Sequence, residues 1–166
     1  MGTPAGDLSY VTSLEEVGWG LALIAITMTM HGFGMLVATE TATSVGRRFA
    51  HREGSFGGVA SIVLTSWIIV LVHLIEAMVW AAFFLWKNAL PNVSISFYYV
   101  VMQYTTVGSE YNLPPHWRLL GGLVAMTGLL CFAWSTGVLF TVAQGLQDRR
   151  IAARERRRAE SGIAGS

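Results

Sequence analysis

The sequence predicts an all-α membrane protein, with three transmembrane helices and one short re-entrant helix per chain. Hydrophobic residues make up 53% of the 166 and charged residues only 13%, about half the supply of an ordinary soluble domain. Three apolar stretches reach the roughly 20 residues that a helix needs to cross a bilayer. Most of the charges gather between and after those stretches. The single cysteine, Cys131, excludes an internal disulfide framework and any CxxC zinc or redox motif.

Taken in order, residues 1–16 form an outer leader with Asp7, Glu15, Glu16 and no basic residue, unlike the positive start of a signal peptide. The first span covers residues 17–38, uncharged apart from whatever His31 carries. A loop at 39–58 holds Arg47, Arg48 and Arg52. The second span, 59–86, contains His73 and Glu76. Residues 93–107 are apolar but too few to cross, and read as a re-entrant segment. Non-helical backbone at membrane depth must be shielded by protein or line a water-filled path. Ser94 or Ser96 is expected to cap its short helix, which ends near Thr105, with Thr106, Val107 and Gly108 extended beyond it. Pro114 and Pro115 then turn the chain into a third span, 119–146, which has no charged residue. The tail, 147–166, carries six arginines. Trp80, Trp86 and Trp117 read as interfacial belt residues.

Orientation follows from the basic residues. The 39–58 loop and the tail hold nine of them, whereas the leader and the segment between the second and third spans hold two, Lys87 and Arg118. The leader and the re-entrant loop are therefore expected outside and the tail in the cytoplasm, in a bacterial inner membrane. No segment has the size of a separate ligand-binding domain, and nothing points to nucleic acid.

The residues 104–108, Tyr-Thr-Thr-Val-Gly, resemble the pore signature of potassium channels, whose loop reads TVGYG. The stretches 73–81 and 113–121 look like the small bacterial ion-channel family related to two-helix potassium channels. The likeness covers roughly residues 59–146, with an outer helix at 59–86, a pore helix and filter at 93–110 and an inner helix at 119–146. The first span is then an addition to the two-helix pore unit. The resemblance implies a homotetramer in the bilayer whose filter, Thr105, Thr106, Val107, Gly108, Ser109 and Glu110, conducts potassium and also sodium. It implies no enzymatic step and no cofactor. The filter departs from the family pattern after Gly108: Ser109 stands at the aromatic position and Glu110 at the second glycine. Its outer half is expected to splay, and four Glu110 carboxylates around the axis are expected to bind calcium or another blocking divalent ion.

On the inner helix, Gly128 and Gly137 are candidate hinges, Phe140 a candidate hydrophobic gate, and Ser135 and Thr136 candidate cavity-lining residues. His73 and Glu76 share one helix face at i, i+3. They read as a hydrogen-bonded pin between outer helices, or more sharply as a proton or metal site with His31. Two rival functions are a haem-binding electron-transfer subunit with His31 and His73 as axial ligands, and a non-conducting accessory protein with a pore fold.

Overall fold

The computed structural model describes residues 11–48 and 56–163. Expectations on residues 1–10, on Arg52 within 49–55 and on 164–166 lie outside the described residues, as do the side chains of Arg47, Arg48, Arg156 and Arg157. The described chain is helical: α1 (Leu14–Arg48), α2 (Phe56–Trp86), α3 (Val93–Tyr104), a 3-10 turn (Pro115–Trp117) and α4 (Arg118–Ile163). No strand occurs among the described residues. α1, α2 and α4 are each long and apolar enough to cross a membrane, which makes this an all-α, multi-pass membrane protein.

The helices outrun their apolar stretches. α1 continues to Arg48 where the apolar run stops at 38, and α4 continues to Ile163 through the basic tail. A polar residue ends membrane compatibility without ending a helix. Thr39 and Thr41, for instance, donate their hydroxyls to the Met35 and Val37 carbonyls one turn back. At 1.5 Å per residue the 46 residues of α4 run about 70 Å, against about 30 Å of hydrocarbon. Its arginine-rich end must therefore leave the apolar layer.

Capping corrects two expectations. The N-cap of α3 is Asn92, whose side chain accepts the Ile95 N–H at 2.9 Å; neither Ser94 nor Ser96 caps it. Ser96 is fully buried instead, with its hydroxyl unpartnered among the described residues. Nor is Thr106 extended: its φ is +63°. The Thr106 N–H donates to the Gln103 carbonyl and the Val107 N–H to the Met102 carbonyl, at 2.8 and 3.0 Å. That is a Schellman cap, with Thr106 in the left-handed position usually taken by glycine. α2 ends in the same pattern, with Asn88 at φ +52° and the Ala89 N–H on the Phe84 carbonyl. Asparagine tolerates that conformation; β-branched threonine is held there only by its surroundings.

Packing divides the chain into two compact units. The first comprises Met1–Phe33 and Leu71–Ala133. Its core centres on Trp80, Phe84, Val100, Leu120 and Val124, all fully buried. Phe84 meets Tyr99 edge-on with ring centroids 5.7 Å apart, and Phe83 meets Trp117 likewise at 5.6 Å; such pairs contribute about 0.5–1.5 kcal/mol each beyond area burial. Trp80 is core rather than belt, because Thr27 Oγ1 accepts its indole N–H at 3.0 Å and so permits full burial. Trp117 is buried too, while Trp86 stays 63% exposed. Lys87 lies over the rings of Trp19, Trp86 and Trp117 at 4.7–5.4 Å.

The second unit comprises Gly34–Val70 and Trp134–Ser166. Here Ser61 donates to the Ala42 carbonyl at 3.0 Å. Gly46 and Gly58 leave space taken by the guanidinium groups of Arg149 and Arg150. Two arginines of the basic tail are thus seated against helix backbone.

Buried polar residues contrast with exposed apolar ones such as Phe33, Leu36, Trp67 and Leu129. Lipid tails reward no apolar burial between helices, so polar links and close packing must hold them. Glu16 of α1 is one such link: its carboxylate, fully buried, accepts the Leu119 N–H at the start of α4 at 2.6 Å. Glu16→Ala should therefore lower the thermal unfolding temperature in detergent, through loss of about 1.5–3 kcal/mol for a charge-assisted bond. Glu16→Gln keeps an acceptor and should lose less. Identical melting of wild type and Glu16→Ala would show that α4 starts without this support.

Candidate functional site

The candidate site grows from the C-terminal end of α3. Tyr104, its last residue, is held on two sides. Its carbonyl lies where a side chain on Gly128 of α4 would stand, so the two backbones touch only because position 128 is glycine. Its hydroxyl donates to Glu76 Oε2 of α2 at 2.6 Å. Glu76 stands ten residues before the end of α2 at Trp86, about 15 Å along the helix axis. That distance equals half the thickness of a roughly 30 Å hydrocarbon layer.

From there the chain turns back as an irregular segment. The Gly108 N–H folds onto the Met102 carbonyl at 3.1 Å, and Gly108 itself has φ +84°, a region open to glycine. Thr105 and Thr106 are exposed, and Val107 is 69% exposed. Ser109 Oγ accepts the Tyr111 N–H at 3.1 Å, and Tyr111 packs edge-on against Tyr98 of α3 at 6.0 Å. Glu110 is exposed and forms no ion pair among the described residues. The sequence reading attached no role to Tyr111.

Beside this turn lies a buried polar cluster. His31 of α1 donates from Nδ1 to Glu76 Oε1 at 2.9 Å. His73 Nδ1 lies 3.2 Å from the Tyr104 hydroxyl and 3.5 Å from Glu76 Oε2. The Tyr104 hydrogen already goes to Glu76, so His73 donates. Phe132 covers His73 with ring centroids 4.5 Å apart and meets Tyr104 at 5.7 Å. The pin read from His73 and Glu76 thus has four members on three helices, α1, α2 and α3. Nothing local in the sequence marks Tyr104 as a member, because its hydroxyl meets Glu76 and His73 only once α3 packs against α2. A haem between His31 and His73 would have to displace Glu76, Tyr104 and Phe132, and the two imidazole centroids are only 5.3 Å apart.

The remaining inner-helix candidates fall in the second unit. Gly137 has open space around it. Phe140 is 62% exposed and Thr136 is exposed, whereas Ser135 is buried within the chain. Burial removes Ser135 from any surface that could line a cavity. Gly128, in the first unit, is required by the close approach of the Tyr104 carbonyl, which gives it a packing role.

Residues 67–145 match the family model described as ion channel, just under half of the chain. The match supports an ion-channel family and spans most of α2, all of α3 and the apolar part of α4; α1 precedes it. No curated protein and no solved structure matches the chain.

The two glycines of α4 give opposite expectations. Alanine at an exposed helical position is favoured over glycine by about 0.5–1 kcal/mol, so Gly137→Ala should hold or raise the melting temperature. Gly128→Ala should lower it, because the α3 carbonyl must retreat. Equal, positive shifts for both would show that the close approach at Gly128 does not require glycine.

Proposed function

We propose that the chain is one subunit of a homotetrameric, potassium-channel-like cation channel, with Thr105–Glu110 as its filter. The observation that carries this reading is the turn that follows α3 beside a buried carboxylate of α2. A helix of 12 residues ends beside Glu76, two-thirds of the way along α2, and hands over to exposed, non-helical backbone. In lipid such backbone must meet protein or water. One loop of this kind per chain becomes useful when several copies surround an axis and their carbonyls replace the hydration shell of an ion. Closed rotational symmetry with four copies matches the family that the Thr-Thr-Val-Gly sequence resembles.

The residues then take these roles. Thr106 and Val107 supply the inner carbonyl rings, and Thr106 adds a hydroxyl. Ser109 and Glu110, in place of an aromatic and a glycine, make the outer half wider and acidic, so potassium and sodium both pass. Two opposite charges 4 Å apart attract by about 4 kcal/mol at an effective dielectric near 20, enough for a ring of Glu110 carboxylates to hold a calcium or barium ion. Thr136 and Phe140 of α4 face the inner pathway, Phe140 as a constriction. The nine basic residues of the 39–58 loop and the tail support a cytoplasmic C-terminus and an outward-facing filter mouth.

Native mass measurement in detergent should find tetramers, and the purified protein in planar bilayers should pass potassium and sodium. A stable monomer or dimer as the sole species would rule the proposal out. Tetramers that carry no current would instead identify a pore-fold accessory subunit. Thr106→Ala should change unitary conductance or blocker sensitivity while tetramers persist; unaltered permeation would mean that ions travel elsewhere. Glu110→Gln should abolish external calcium or barium block in a pore that still conducts. Block of undiminished strength in that variant would sink the acidic ring.

A further inference from the structure

The buried cluster holds more ligating chemistry than a pin between helices requires. One donor and one acceptor suffice for a pin. Here the ligating atoms of His31, His73 and Glu76 all lie within 4.8 Å of one another. The His31 Nδ1 to Glu76 Oε1 spacing is 2.9 Å, and that from His73 Nδ1 to Oε2 is 3.5 Å. Ligand atoms about 2.0–2.1 Å from a tetrahedral metal stand about 3.4 Å apart, so these spacings bracket the edge of such a site. The Cys131 thiol of α4, also fully buried, stands outside this group and donates to Met28 Sδ at 3.8 Å.

The donor types select the class of metal. Two imidazoles and a carboxylate suit zinc and its borderline neighbours; calcium and magnesium ask for oxygen donors in larger number. Charge points the same way. A divalent ion offsets the charge of a carboxylate that an apolar layer otherwise penalises. We infer that His31, His73 and Glu76 form a buried site for zinc or a similar divalent transition metal. The imidazoles bind through Nδ1 once the protons that those atoms donate to Glu76 and Tyr104 have moved to Nε2, and a water completes the coordination. The three ligands come from α1 and α2, so the metal ties the first helix to the helix that precedes the re-entrant segment. Tyr104, donating to Glu76, is the outer partner that orients the carboxylate. Because Tyr104 also ends α3, metal occupancy braces the start of the irregular segment.

The test uses the full chain, purified in detergent after expression with added zinc, and needs no ion current, so its failure is distinct from failure of the channel reading. Metal analysis after washing with EDTA should find about one zinc per chain. His73→Gln is the mildest ligand loss, since His73 is the only cluster histidine with any exposure, 11%, and glutamine retains a donor toward Tyr104. It should lower zinc affinity by about tenfold or more, the loss already typical of removing an outer partner, while size exclusion and circular dichroism remain those of wild type. Cobalt substituted for zinc should give the intense visible bands of a four-coordinate ion, and His73→Gln should weaken them. Zinc content in wild type no higher than in His73→Gln would overturn the site. So would a wild-type cobalt spectrum of six-coordinate type.

Discussion

The Glu76 carboxylate is the contact on which the first unit depends. It sits fully buried on an apolar helix and accepts from His31 of α1 and Tyr104 of α3. A carboxylate at such depth is costly unless hydrogen bonds surround it. The surrounding donors come from different helices, so the requirement to satisfy one charge becomes a requirement to bring three helices together. Apolar surface does not enforce that meeting in lipid, because a leucine is as comfortable against an acyl chain as against another helix. The inverted distribution of residues, with Thr27, Thr65, Thr127 and Glu16 inside and Phe33, Leu36 and Leu129 outside, follows from the same argument.

A second constraint is the closing of backbone hydrogen bonds where helices stop. α2 and α3 end in the same left-handed cap, one with Asn88 and the other with Thr106. The asparagine cap is an ordinary turn. The threonine cap stores backbone strain of order 1–3 kcal/mol at the first residue of the irregular segment, and it persists because Tyr104 just before it is fixed by Glu76 and by the close approach of Gly128. A strained residue held by an over-determined neighbour is a common arrangement at functional turns. α4 shows a third solution, in which Glu16 of a distant helix satisfies the Leu119 N–H.

Much of this was legible in the sequence. The three spans and the short re-entrant helix were read from the length of apolar runs, because a bilayer sets a minimum length that an ordinary core does not. Helix ends were less legible. The continuation of α1 to Arg48 and of α4 to Ile163 leaves no mark in hydropathy, since a helix in water needs no apolar face on every side. The N-cap of α3 was misplaced by two serines that are good caps in general, when Asn92 just upstream is an equally good one. The interfacial reading of Trp80 and Trp117 failed because tryptophan composition says nothing of whether a partner such as Thr27 awaits the indole N–H.

By itself the sequence determined the class of protein, the number of long apolar helices, the place of the Thr-Thr-Val-Gly turn and the presence of ionisable residues where a bilayer discourages them. These are one-dimensional properties, in which run length, charge count and local motif suffice. Only the tertiary structure decided that Tyr104 belongs with His31, His73 and Glu76, that Glu16 reaches the start of α4 across 103 positions, and that Gly128 is a contact point. Each of these pairs residues far apart along the chain. No local rule orients a side chain toward a partner that arrives only when separate helices pack, and the need to satisfy buried polar groups selects that partner after the helices have formed.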